Sequence, residues 1–291
     1  MSAFDPGNRR NLALRVVSGL ILFPVAVWVT FVGGLPFALV AGAASAVAAG
    51  ELILMFGAVG VAEGFGIAVA GMMPIAAAVN HGSARVPLHD PHLFPAWVPP
   101  LLSFAVVLLL SAFLFRREPL ESIPRRVGTV VLSWLYCGLL ASTAVGLRRI
   151  GVEWVILAFV VTWANDTFAY FAGHALGRHR MLERISPHKT WEGFAGGAVG
   201  SVLGALATRS ILHFAHHEEL EALSAVEMVL LGAGGAVLGP LGDLCESLVK
   251  RAAGVKDSGK IIPGHGGLLD RIDALLFVLP WIYVWAAYVA P

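Results

Sequence analysis

The sequence predicts an all-α polytopic membrane protein with about nine transmembrane helices, and three observations carry that prediction. Hydrophobic residues make up 57% of the 291 and charged residues only 13%, with a mean hydropathy of +0.78. A soluble domain carries roughly 25% charged residues. The apolar residues fall in runs of roughly 20, the length a helix needs to cross the hydrocarbon core. These runs lack the two-residue alternation of barrel strands, and in lipid only helices and closed barrels satisfy every backbone polar group.

The spans follow in order. Arg9, Arg10 and Arg15 precede "VVSGLILFPVAVWVTFVGG", which is longer than the apolar core of a signal peptide, so a retained first span at 16–33 is expected. The second, 35–57, contains "AAGELILMF", where Glu51 lies at membrane depth with no partner that the sequence identifies. The third, 64–79, is short. The fourth, 94–115, runs into Arg116 and Arg117, and the fifth, 127–146, into Arg148 and Arg149. The sixth, 152–175, carries Asp166 inside "VTWANDTFAYF", and the remaining three are 193–215, 226–247 and 274–290. Five spans thus fall in residues 1–150 and four in residues 151–291.

Charge gives this arrangement a sidedness. Of the 20 lysines and arginines, 16 fall on one side of the nine spans; Arg85, Arg148, Arg149 and Arg209 fall on the other. The positive-inside rule makes the richer side cytoplasmic, so the N-terminus is expected inside and the C-terminus outside. The net charge of +1 says nothing about partners, whereas its distribution along the chain does. Cys137 and Cys245 lie near different apolar runs without CxxC spacing and read as packing residues. The histidine-containing stretches "NHGSARVPLHDPHLFP" and "HFAHHEELEALS" read as solvated external loops.

The chemistry concentrates between spans eight and nine, in "KRAAGVKDSGKIIPGHGGLLDRID" (250–273). If span eight continues helically, Asp243, Glu246, Ser247 and Lys250 share one face, as Asp270 and Asp273 do at the start of span nine. Carboxylates without clustered Cys or His suit a hard cation such as Mg²⁺, which takes one or two carboxylates and fills its shell with water and phosphate oxygens. Lys250, Arg251, Lys256 and Lys260, with Gly264, Gly266 and Gly267, could cradle an anion between the two helix ends. A cation site beside a phosphate cradle fits phosphoryl or nucleotidyl transfer.

The 27 residues from Ser247 to Asp273 resemble the signature of the phosphatidate cytidylyltransferase family, the bacterial-type CDP-diacylglycerol synthases. They match it at every fixed position: Ser247, Lys250-Arg251, Lys256-Asp257, Pro263, His265-Gly266-Gly267, Asp270-Arg271 and Asp273. A second stretch, "NDTFAYFAGHALGRHRMLERISPHKTWEG", resembles the family's other cytoplasmic segment through Asp166, Ala169, Tyr170, Gly173, Gly177, Ser186, Pro187, Lys189, Thr190, Glu192 and Gly193. His188 stands where a lysine is more usual, and no phosphate role is assigned to it.

The resemblance implies that CTP and phosphatidic acid give CDP-diacylglycerol and pyrophosphate, at a cytoplasmic site within a C-terminal catalytic region (151–291) of a bacterial inner-membrane protein. It implies Mg²⁺, with room for a second cation, on Asp243 and Asp270. Lys250, Arg251, Lys256 and Arg271 become expected phosphate contacts. Asp257 would bind an ion or the cytidine, and His265 would either donate to a phosphate or cap a turn. Asp166, Ser186, Lys189, Thr190, Glu192, Gly266 and Gly267 are expected on the substrates, with Glu246 and Asp273 supporting the charged groups. CTP, phosphatidic acid and the bilayer are the expected partners, nucleic acid is not, and a homodimer is an admissible assembly. The alternatives are a CTP-dependent transferase acting on another membrane lipid and an ion-coupled transporter using Asp166 and Glu51.

Overall fold

A computed structural model describes residues 18–20, 23–57, 59–79, 98–114, 119–214, 220, 222–264 and 266–290. A helical segment at 23–32 (α1) is followed by α2 (Gly34–Phe56), α3 (Val61–Val79) and α4 (Val98–Leu114). A continuous rod then runs from Leu120 to Ile150, made of a 3₁₀ turn, α5 (Ile123–Ser133), a π-helical turn (Trp134–Leu139) and α6 (Leu140–Ile150). After α7 (Val152–Leu176) come two antiparallel strands, β1 (Arg180–Leu182) and β2 (Ser186–Thr190). The chain ends with α8 (Trp191–Phe214), α9 (Ala225–Ala252) and α10 (Leu269–Val284), the last extended by a π turn to Val289.

Among the described residues, seven helices are long and apolar enough to cross a membrane: α2, α3, the 120–150 rod, α7, α8, α9 and α10 with its extension. The expected first and fourth spans coincide with shorter apolar helices. The chain is therefore an all-α polytopic membrane protein. The sequence reading did not anticipate the strands between spans six and seven, or the π turn inside span five. Ser45 on α2 donates to the Cys137 carbonyl of that turn at 2.8 Å, satisfying an acceptor that the irregular helix leaves available.

Two buried apolar clusters meet on α10. Trp154, Leu157 and Val161 of α7 pack with Met228 and Leu231 of α9 and with Val278 and Ile282 of α10. Leu52 of α2, Met73 of α3, Leu109 of α4 and Trp134 form the second cluster with Leu269 and Leu276 of α10. Large apolar side chains such as Phe104, Val107, Leu203 and Ile211 remain exposed, as a lipid-facing surface requires.

Because lipid supplies no hydrophobic drive between helices, close contact depends on small residues. α8 offers Gly196, Gly197, Gly200 and Gly204 to α7, and a Cβ at 196 would overlap the Cβ of Ala172. Gly196→Val is therefore expected to cost about 1–3 kcal/mol by overpacking, read as a lower unfolding midpoint in detergent. An unchanged midpoint would show that the two helices can part without loss.

Basic side chains finish helix ends on one face. Arg148 donates from Nε to the Thr30 carbonyl at 2.6 Å and from its second terminal nitrogen to that of Phe31 at 2.9 Å. Arg149 reaches the Ala77 carbonyl at 3.3 Å. These carbonyls lie in the last described turns of their helices, so two of the four basic residues on the poorer side serve backbone acceptors. Gly33 makes the approach feasible: it has a φ of 66°, and any Cβ there would strike the guanidinium of Arg148.

Candidate active site

On the opposite face, the C-terminal halves of α7 and α9 and the start of α10 surround a cavity of about 410 Å³. Its walls are Thr162, Trp163 and Asp166 from α7, then Asp243, Glu246, Ser247, Lys250 and Arg251 from α9. Lys256 and Asp257 of the connecting loop and Asp270, Arg271, Asp273, Ala274 and Leu275 of α10 complete them. Asp166 stands ten residues before the end of α7 and Asp243 nine before the end of α9. At 1.5 Å per residue, the cavity floor lies about 15 Å below the loops.

The helical spacing read from the sequence places α9's acids and lysine together as expected. Lys250 Nζ donates to Asp270 Oδ1 at 2.7 Å and meets Glu246 Oε2 at 2.5 Å. A second pair crosses between segments: Lys189 Nζ lies 2.7 Å from Asp243 Oδ2 and 3.4 Å from the Pro240 carbonyl. Ser247 Oγ donates to Asp243 Oδ1 at 3.3 Å. The two motif stretches, far apart in sequence, meet where Arg251 Nε donates to the Ile185 carbonyl at 3.3 Å, and Lys189 adds its pair with Asp243, four residues before the first stretch begins.

The two expected metal ligands differ in how much of their acceptor capacity is taken. Asp270 accepts from Lys250, from the Ser258 N–H at 3.3 and 3.0 Å, and from the Gly267 N–H at 2.9 Å. Among the described residues Asp243 has only Lys189 and the long Ser247 bond, and its side chain is 41% exposed. Among the described residues no three His, Cys, Asp or Glu side chains stand close enough to hold a metal between them. The donor set nonetheless fits Mg²⁺ of the kind that keeps water and phosphate in its shell, being all oxygen and lining one polar cavity. Glu246 is fully buried, with its Oε2 against Lys250.

Other expected contacts lie elsewhere. Glu192 accepts from the Arg178 and His179 N–H groups at 3.1 and 3.2 Å, and its Oε1 is 2.6 Å from His179 Nδ1, so it fastens the segment leading into β1. Thr190 Oγ1 accepts from the Gly193 N–H at 3.1 Å at the start of α8. Ser186 and Lys189 sit on β2, and Ser186, Lys189, Thr190, Glu192, Gly266 and Gly267 are all outside the cavity wall, Lys189 reaching it only through Asp243. Gly266, with a φ of 89°, lets the loop turn beside Asp270, and Gly267 supplies its N–H. His265 lies outside the described residues.

Sequence reasoning passed over Thr162, Trp163 and Ser258. The first two are four and three residues before Asp166, hence on its helical face, and that spacing was the available signal. Ser258 is buried, and its backbone N–H holds Asp270; nothing in the loop's composition marks it.

Comparison with known proteins agrees with the motif reading. Residues 13–289 match the cytidylyltransferase family. The chain is 37% identical to the phosphatidate cytidylyltransferase of Bacillus subtilis over 183 residues, covering 62% of this chain and 65% of that protein. It is 43% identical to that of Staphylococcus epidermidis and 42% to that of Staphylococcus aureus, each over 137 residues, covering 47% of this chain and 50% of theirs. The aligned stretch thus spans between half and about two thirds of the curated relatives it matches.

Proposed function

Because this chain belongs to the cytidylyltransferase family, we propose that it transfers the cytidylyl group of CTP to phosphatidic acid, giving CDP-diacylglycerol and pyrophosphate. The observation that carries the proposal is the cavity itself, whose wall between α7, α9 and α10 holds the Lys250–Asp270–Glu246 set together with Asp243, the partner of Lys189 on β2. The relatives' shared name supplies the substrate class.

The residues account for the reaction as follows. An oxygen of the lipid phosphate attacks the α-phosphorus of CTP and the bond to pyrophosphate breaks. The attacking phosphate monoester is already anionic near neutral pH, so no strong base is needed. Lys250, Arg251, Lys256 and Arg271 face the triphosphate and stabilise the departing negative charge. Lys189 leads from β2 toward α8 at the membrane edge and orients the lipid phosphate. When Lys189 and Lys250 turn to phosphate oxygens, Asp243 and Asp270 lose a cationic partner and become able to accept a divalent cation. Bound Mg²⁺ would neutralise charge on the leaving pyrophosphate. Asp243, with acceptor capacity to spare, and Asp270, on giving up a present donor, are the residues that would hold it.

A single assay tests the reading: purified protein with labelled CTP, Mg²⁺ and either phosphatidic acid or another phospholipid or lipid alcohol. Labelled CDP-diacylglycerol formed from phosphatidic acid alone is expected; transfer to another lipid in its place would reassign the acceptor, and no consumption of CTP would overturn the proposal. The same reading puts the cavity on the cytoplasmic side of a bacterial inner membrane, with the N-terminus inside and the C-terminus outside. A reporter fused within 178–190 should accordingly be cytoplasmic and one within 80–93 external; an external reporter at 178–190 would place the cavity away from CTP.

Lys189 should act on one substrate more than on the other. Lys189→Ala is expected to raise KM for phosphatidic acid about tenfold and KM for CTP much less, the loss of one charge-assisted hydrogen bond. Equal changes in both constants, measured in mixed micelles, would mean that the cations share one phosphate cluster.

A further inference from the structure

Glu51 lies on α2, outside the cavity wall, yet its side chain holds the loop that closes the cavity. It is 2% exposed. Its Oε1 accepts from the Leu268 N–H at 3.0 Å, and its Oε2 accepts from the Leu269 N–H at 2.8 Å and from Ser258 Oγ at 3.3 Å. All three partners donate, so the position calls for a group that only accepts. The loop is shaped to it: a Cβ at Gly259 would overlap the Glu51 carboxyl, and one at Gly267 would lie 2.7 Å from Oε2.

This contact fills a gap at the start of α10. The helix begins after Leu268, whose side chain makes no cap, so its first N–H groups need acceptors from elsewhere. Glu51 takes those of Leu268 and Leu269, while Asp270 takes that of Gly267. Ser258 joins the two acids, giving its hydroxyl to Glu51 and its N–H to Asp270. Asp270 in turn meets Lys250 in the cavity. A connected path therefore runs from α2, through Ser258 and the start of α10, to the Lys250–Asp270 pair.

We infer that Glu51 is a positioning residue for the nucleotide half of the site, setting the loop between α9 and α10 and, through it, Asp270 and Lys250. The inference rests on the cytidylyl-transfer reading for its kinetic consequence, but not for its structural one. Glu51→Gln tests it with little change in volume. Gln keeps one acceptor oxygen and turns the other position into an N–H₂, which then confronts a backbone N–H. In the folded fraction, Glu51→Gln is expected to raise KM for CTP by about tenfold while KM for phosphatidic acid stays within about twofold. Trypsin should also cut after Lys256 or Lys260 several-fold faster than in the wild type, an assay that needs no turnover.

Wild-type constants and wild-type proteolysis in the folded Gln variant would overturn the inference, as would equal rises in both KM values. If the wild-type protein does not consume CTP with phosphatidic acid, the functional reading fails, and the rate of trypsin cleavage alone then decides for or against Glu51 as the anchor of the loop. Ser258→Ala, which removes only the hydroxyl contact, is expected to change both readouts in the same direction by a smaller factor; no change in this variant together with none in Glu51→Gln would end the case.

Discussion

Asp243→Asn and Asp270→Asn are each expected to lower turnover by at least about a hundredfold, the scale on which removing one preorganised charge-stabilising group acts. Activity should vanish with a chelator and return with Mg²⁺. The two variants should then differ. Asp243 is partly open and is held among the described residues by Lys189 and a long Ser247 bond, so its Asn variant should lose chiefly affinity for the cation, and high Mg²⁺ should restore part of the rate. Asp270 also holds the Ser258 and Gly267 N–H groups, so its Asn variant disturbs the loop, and added Mg²⁺ should recover little. Full activity in either variant at low Mg²⁺ would remove that residue from the metal-binding set.

Lys250→Ala is expected to be the most damaging single change for both stability and turnover. Glu246 is fully buried and has Lys250 as its cationic partner, and Asp270 shares that ammonium group. Removing one member of a buried ion pair typically costs about 3–5 kcal/mol because the other is left uncompensated. Thermal unfolding in detergent should show the loss, and pairing Lys250→Ala with Glu246→Gln should return a good part of the stability without returning activity. If the double variant is no more stable than the single one, the damage does not come from the stranded acid.

The spans and the site were unequally legible in the sequence, for physical reasons. A run of apolar residues long enough to cross a bilayer announces itself, and the expected boundaries of α2, α7 and α8 fall within about three residues of the observed ones. The motif loop stood out because lysines and aspartates are costly near lipid unless they have work there. The i, i+3, i+4, i+7 spacing placed Asp243, Glu246, Ser247 and Lys250 on one wall before any coordinates.

Pairings between distant segments were not legible. Nothing near Lys189 points to Asp243, and nothing near Glu51 points to Leu268, because tertiary packing alone brings those elements together. A faint sign existed in "GGLLDRID", where a helix starts with no Ser, Thr, Asp or Asn at its cap while an unexplained acid sits near the end of another helix. Glu192 was hidden for a different reason. Its motif suggests substrate contact, yet its geometry shows a carboxylate committed to the turn before β1.

The Glu51 contact also sets an order of events during biogenesis. Leu268, which satisfies Oε1, is made 217 residues after Glu51. At about 5–20 residues per second, the ribosome needs roughly 10 to 40 s to deliver it. Throughout that interval Glu51 lacks the Leu268 and Leu269 N–H groups from which it accepts in the folded protein. The final packing of Glu51 can therefore form only once the start of α10 has been made, and the same residues then complete the cavity wall.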